Sequence, residues 1–137
     1  MKRTILILAI LLSLSVPGFA QAIRNTNNAV IAKIDSDGTV RNSNNSMIAR
    51  INNNGEIRDN SNRYLGKVDS DGTVRDRNNR CLGKIESNGT VRSQNNFTLG
   101  KVESDGTVRD NSNRAIGYAK DIPMKYAALY FFFNLLL

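Results

Sequence analysis

Glycine returns every 17 residues through the middle of this chain, at Gly38, Gly55, Gly72, Gly89 and Gly106, with no insertion or deletion between copies. The stretch Ile34-Asp35-Ser36-Asp37-Gly38-Thr39-Val40-Arg41 reappears almost unchanged at 68–75 and again at 102–109. Arginine keeps the same interval from Arg24 to Arg109, and asparagine from Asn28 to Asn113. A fixed short period means one supersecondary unit copied along the chain. Such a unit cannot fold alone. The third copy offers about three large apolar side chains, Leu65, Val68 and Val74, each worth about 1.5–3 kcal/mol when buried. Ordering the backbone costs about 1–2 kcal/mol per residue. Neighbouring copies must therefore share a core.

Each unit reads as two short strands. The first runs apolar-small-basic-apolar, as in Leu65-Gly66-Lys67-Val68, and the second is Thr-Val-Arg-Asp, as in Thr73-Val74-Arg75-Asp76. Asp-Ser-Asp-Gly between them fits a type I turn with glycine at the positive-φ position, a three-residue loop closing in a glycine bulge. The register discriminates between turn types. With Ser36-Asp37-Gly38 as the loop, Ile34 faces Val40 and Lys33 faces Arg41. A two-residue Asp-Gly loop sets Ile34 against Arg41 and throws the apolar set onto the wrong face.

The other connection is rich in asparagine, as in Asn42-Ser43-Asn44-Asn45. Asn and Ser bond nearby backbone groups and suit tight turns; side-chain ladders between units are expected as well. A small residue recurs at Ala32, Ala49, Gly66, Gly83, Gly100 and Gly117, a sign of close backbone approach or a bend.

The two ends depart from the repeat. Lys2 and Arg3 precede an aliphatic run from Ile5 to Leu14, followed by Pro17, Gly18, Ala20 and Ala22. This is the order of a secretory signal peptide over residues 1–20, with cleavage after Ala20 or Ala22. The chain then divides into a hairpin-repeat region, 21–119, and an apolar segment, 120–137. In that segment, residues 126–137 are almost wholly apolar, interrupted by Asn134. It is short for a membrane span. It is expected to plug or cap the array, with docking to a membrane, a partner or a second copy as the alternative.

The Leu-Gly-Lys-Ile/Val and Asp/Asn-Gly-Thr-Val-Arg pattern, followed by Ala-Ile-Gly-Tyr-Ala-Lys at 115–120 and a Phe-rich tail, resembles the 5-fold beta-flower proteins. These are small secreted repeat proteins of Bacteroides-type bacteria. The resemblance covers nearly all of the chain from Ile23 onward. It implies an all-β array of short hairpins around an axis, and it brings no established activity, cofactor or catalytic residue. A stacked β-solenoid or a hairpin meander is the alternative architecture. Five Asp/Asn-Gly turns stand against six asparagine-rich loops. Either a sixth unit is split between the two ends and closes a ring, or the symmetry differs from the family name.

Chemistry is scarce. There is no histidine and one cysteine, which excludes Ser-His-Asp triads, Cys-His dyads, histidine metal sites and internal disulfides. The turn acids resemble calcium loops only loosely, because the second turn, Asn52-Asn53-Asn54-Gly55, carries none. The basic residues repeated along the strands read as a solvated face, or as a ring able to hold an anion. Cys81 reads as a packing thiol. Arg77, Arg80, Gln94 and Phe97 leave the pattern, scattered over two units. No catalytic, cofactor-binding or metal-binding residue is assigned and no cofactor is implied. The expected protein is an exported, non-catalytic structural or binding module, located in the periplasm, at the cell surface or secreted. Its partner would be a protein, a glycan or an anionic surface, and nucleic acid is not expected. The alternative is an assembly subunit docking through its apolar C-terminal segment.

Overall fold

The structure, a computed structural model, describes residues 21–136; the expected signal segment at 1–20 lies outside them. Twelve strands follow one another: β1 (Gln21–Arg24), β2 (Val30–Ile34), β3 (Thr39–Asn42), β4 (Met47–Ile51), β5 (Glu56–Asp59), β6 (Tyr64–Val68), β7 (Thr73–Asp76), β8 (Cys81–Ile85), β9 (Thr90–Ser93), β10 (Thr98–Val102), β11 (Thr107–Asp110) and β12 (Ala115–Tyr118). Among the described residues one helix, α1 (Met124–Phe132), follows the strands. All pairings are antiparallel, and β1 pairs with β12, so the sheet closes into a barrel. The ring thus has five continuous hairpins and a sixth assembled from the two ends, with Arg24 opposite Tyr118. Closure leaves no free sheet edge. The solenoid and the meander are thereby replaced by a ring.

The glycine turn is the bulged one. Lys33 faces Arg41 and Ile34 faces Val40. The Asp35 N–H donates to the Thr39 carbonyl at 2.8 Å, and the Gly38 N–H to the Asp35 carbonyl at 3.0 Å, with Gly38 at φ 90°. Glycine is needed there for a second reason: a Cβ on Gly38 would run into the Ile51 carbonyl of the next unit.

The asparagine connection uses the same geometry with a different residue. The Asn42 N–H donates to Ser46 O and the Asn45 N–H to Asn42 O, both at 2.9 Å. Asn45 takes the left-handed position at φ 69°, and its equivalents do likewise. The Asn42 Oδ1 accepts from the Asn44 and Ser46 amides, both at 3.0 Å. Among the described residues these side chains bond within their own turn, so the expected ladders between units are not made by asparagine. The units are joined by backbone instead, as where the Ile51 N–H donates to the Gly38 carbonyl at 2.9 Å. A register shift at Val40/Arg41 and its equivalents bends each pair next to an asparagine turn, which helps so short a sheet to curve closed.

Inside the ring the small positions and the tail meet. A Cβ on Gly117 would touch the Phe131 ring, one on Gly100 the Phe132 ring, one on Gly83 the Phe133 ring and one on Gly66 the Leu135 methyls. Successive tail residues thus face successive units, and the missing β-carbons make room for aromatic rings. Ala127, Ala128 and Leu129 of α1 are fully buried, and Leu136 nearly so. With Ile34, Val40, Ile57, Val74, Val91 and Val108 from the wall, they form one core.

Candidate functional site

The repeated strand arginines are paired within their own units. On the outer wall the Arg75 Nε donates to Asp69 at 2.9 Å, Arg92 to Glu86 and Arg109 to Glu103 at 2.8 Å, and Arg41 to Asp35 at 3.3 Å. Where the second turn lacks its acid, Arg58 turns to Glu56 at 3.2 Å. Each of these arginines also donates to the carbonyl of the left-handed asparagine four residues on, as Arg75 does to Asn79 at 3.3 Å. The arginine row of that wall is therefore a set of internal ion pairs, while at the neighbouring basic position, among the described residues, only Arg50 and Lys67 reach a carboxylate, Asp37 at 3.6 Å and Asp69 at 3.9 Å.

The turn acids are engaged in the same way. The Asp37, Asp71 and Asp105 carboxylates accept from the amides of Thr39, Thr73 and Thr107. That backbone hydrogen bond is the main reason their pKa values lie below the usual carboxylate value. Among the described residues no three His, Cys, Asp or Glu side chains cluster closely enough to hold a metal. Cys81 is exposed on β8 opposite Arg75. The reading of a packing thiol is corrected accordingly: its position faces outward, where Tyr64 covers Arg58 at 5.5 Å and Thr98 accepts from Arg92 at 3.1 Å.

The asparagine-turn end of the ring is different, because it departs from the repeat in one arc. The last residue of each asparagine turn is, in order, Ala29, Ser46, Arg63, Arg80, Phe97 and Arg114. Arg77 and Gln94 likewise share a position in successive turns. Two residues read as scattered, Arg80 and Phe97, are thus equivalent neighbours on one rim. The signal was already present in their 17-residue separation, but it acquires spatial meaning only once the units form a ring. Two strand spacings separate neighbouring turns, about 10 Å.

Phe97 is 70% exposed, the one large hydrophobic residue in that state among the described residues. The Arg63 side chain is 79% exposed and reaches Asp59 at 2.8 Å; Arg114 is 80% exposed and reaches Asp110 at 3.2 Å. The Arg63 and Arg114 amides donate to the same carboxylates and hold both pKa values below the usual range, with the guanidinium groups adding to the effect. The Arg80 amide donates to Asp76 at 3.0 Å.

Just inside this arc, Leu82, Leu99, Phe132, Phe133, Asn134 and Leu135 line an open depression of about 370 Å³. A second, of about 360 Å³, lies beside Leu65, Arg77 and Leu135. At the opposite, glycine-turn end, a depression of about 480 Å³ lies between turns 52–55 and 69–70 and the start of α1 at Lys125 and Tyr126. That end offers turn amides and carboxylates already bonded to each other. The asparagine-turn rim combines exposed guanidinium groups, an exposed aromatic ring and an apolar floor, a set suited to binding.

The family model described as 5-fold beta-flower protein matches residues 20–135. No curated protein and no solved structure matches the chain.

Proposed function

We propose that this chain, which belongs to the 5-fold beta-flower family, is an exported, non-catalytic binding module that contacts its partner through the asparagine-turn rim. The observation that carries the reading is the placement of Arg63, Arg80, Phe97 and Arg114 at one repeat position in four successive units, while the other two units carry Ala29 and Ser46 there. The scaffold supplies rigidity: a closed sheet around a filled core, with its acids and wall arginines paired internally. The arc adds to it the most exposed guanidinium groups of the ion pairs, at Arg63 and Arg114, and an exposed aromatic ring at Phe97.

Export is inferred from the leader-like residues 1–20, and it places the module in the periplasm, at the cell surface or outside the cell. The closed sheet supports cleavage after Ala20 rather than Ala22, because Gln21 and Ala22 belong to β1 and pair with Ile34 and Lys33.

The test replaces Arg63, Arg80, Phe97 and Arg114 together with serine, the residue the ring itself uses at Ser46. Circular dichroism and melting temperature should be retained. Binding of the mature protein to isolated cell envelopes, or to anionic surfaces and acidic polysaccharides, should be lost. Undiminished binding by the correctly folded variant overturns the reading.

A further inference from the structure

The geometry points to a planar anionic partner: we propose that the arc formed by Arg63, Arg80, Phe97 and Arg114 docks on the surface of a bilayer containing anionic phospholipid. This rests on the rim being the binding face and names what it binds.

Three observations carry it. The first is flatness. Six equivalent units that close on themselves, with Arg24 of β1 paired to Tyr118 of β12, are related by rotation about the barrel axis without net rise. Residues at one repeat position therefore stand at one height, and the four side chains can meet a flat surface together. A groove-bound chain would need no such common plane.

The second is polarity along the axis. The five glycine turns carry seven acids (Asp35, Asp37, Asp69, Asp71, Glu86, Glu103 and Asp105) and no base; with Asp121, Lys120 and Lys125 of the segment beside them counted, that end keeps a clear excess of acid. The six asparagine turns carry four arginines (Arg63, Arg77, Arg80 and Arg114) against Asp59, Asp76 and Asp110. The three aspartates each accept amide hydrogen bonds from their own turn. A negatively charged membrane would draw the arginine end down and turn the acidic end to solvent.

The third is the exposed aromatic ring. Phe97 at 70% exposure stands between Arg80 and Arg114 in ring order, next to the floor of Leu82, Leu99 and Phe132. An aromatic ring among arginines suits the interface, where the ring enters the acyl boundary while the guanidinium groups stay with the phosphates. Among the described residues no helix is long and apolar enough to cross a membrane; the contact proposed is a peripheral one, made by the rim side chains.

The chain contains no tryptophan, and Phe97→Trp therefore installs a single reporter at the centre of the arc. The mature variant is titrated with vesicles of phosphatidylcholine alone and of phosphatidylcholine with phosphatidylglycerol. On the anionic vesicles the emission should move to the blue and be quenched by brominated acyl chains, with affinity falling as salt rises. Replacing Arg63, Arg80 or Arg114 singly with serine should weaken binding by about fivefold each. Phe97→Ser in the otherwise native chain should weaken co-sedimentation with the same vesicles. Equal behaviour on neutral and anionic vesicles, or binding without an emission change, overturns the proposal. Polygalacturonate, a soluble polyanion, separates the two levels. If it shifts the emission and vesicles do not, the membrane assignment falls while the rim remains the binding face. If neither does, both fall.

Discussion

Gly100 and the ring of Phe132 occupy adjoining space so closely that a β-carbon on the glycine would lie 2.5 Å from the Phe132 Cζ. The same relation holds between Gly117 and Phe131. Ala32 and Ala49 fill the equivalent position in the first two units and are fully buried, so the wall itself tolerates a methyl there. At Gly100 it is excluded twice, by the Arg109 carbonyl of the neighbouring strand and by the Phe132 ring of the tail, whereas at Gly117 the Phe131 ring is the nearest obstacle.

Gly100→Ala should accordingly destabilise the protein by about 1–3 kcal/mol through overpacking. Trimming the opposing ring by Phe132→Leu should recover part of that loss. A double-mutant cycle read from urea unfolding should give a coupling of at least about 0.5 kcal/mol. Strict additivity would mean that the glycine serves the wall alone and not the tail.

The two kinds of turn should respond differently to the same substitution. Gly72 has φ 92°, and its missing β-carbon is replaced by the Ile85 carbonyl. Gly72→Ala therefore meets both a disfavoured backbone and a clash, and should cost more than about 2 kcal/mol. Asn79, at φ 65°, faces the conformational term. Asn79→Gly should be close to neutral and Asn79→Ala should cost about 1–2 kcal/mol. Denaturant midpoints for the three variants check the order.

Much of this was readable in advance, and the reason is the strictness of the repeat. The register that set Lys33 against Arg41 followed from demanding that Ile34 and Val40 share a face, and it is the one observed. Split ends closing a ring were one of the two readings that five glycine turns against six asparagine loops allowed, and the pairing of Arg24 with Tyr118 selects it. The pairing of the tail was not readable. Nothing in the order Phe131-Phe132-Phe133 says that each ring meets a different unit, since those contacts span 14 to 69 positions of chain between Gly117–Phe131 and Gly66–Leu135. The rim arc was hidden for a related reason. Arg80 and Phe97 look unrelated on a line and become neighbours on a circle. Cys81 was misplaced because a position that accepts Val30, Met47, Tyr64, Thr98 and Ala115 reads only as tolerant, while its cross-strand neighbour in the ring is an outward arginine.

Acid should loosen the ring through the glycine turns. The Asp37, Asp71 and Asp105 pKa values are lowered in the fold, chiefly by the amides of Thr39, Thr73 and Thr107. A carboxylate with a lowered folded pKa contributes stability that is present above its unfolded value of 3.8 and lost as pH falls through the lower folded value. Units two and four already use Asn54 and Asn88 in this role, donating amides being those of Glu56 and Thr90. The triple variant Asp37→Asn, Asp71→Asn, Asp105→Asn should keep its neutral-pH melting temperature. It should lose less than the native chain on acidification below about pH 4. Parallel melting curves across that range decide the matter; equal losses would assign acid sensitivity elsewhere.

The mature protein should begin at Gln21. Cleavage after Ala22 would remove the residues of β1 that face Ile34 and Lys33, shortening the strand whose Arg24 pairs with Tyr118 to close the barrel. Mass spectrometry of the exported protein gives the terminus directly. A chain engineered to start at Ile23 should melt at a lower temperature than one starting at Gln21, because it loses the ladder contacts at the seam and leaves part of β2 unpaired.

Removing the tail should abolish the ring rather than release it as an empty barrel. Leu129, Phe133, Leu135 and Leu136 are all buried by the wall, each worth about 1.5–3 kcal/mol against a net stability of about 5–15 kcal/mol for a typical domain. The wall facing them is glycine in four of six units, Gly66, Gly83, Gly100 and Gly117, so it cannot collapse inward to fill the void with side chains of its own. A chain ending after Asp121 should show weak, non-cooperative melting and bind a hydrophobic dye. Because that variant also loses α1 and its backbone contacts, Leu129→Ala in the full chain supplies the finer measure. It should cost about 2–5 kcal/mol, as a buried leucine truncated to a cavity does. A sharp, native-like transition in the truncated chain would show that the strands hold a core without the helix and would return α1 to the role of an accessory.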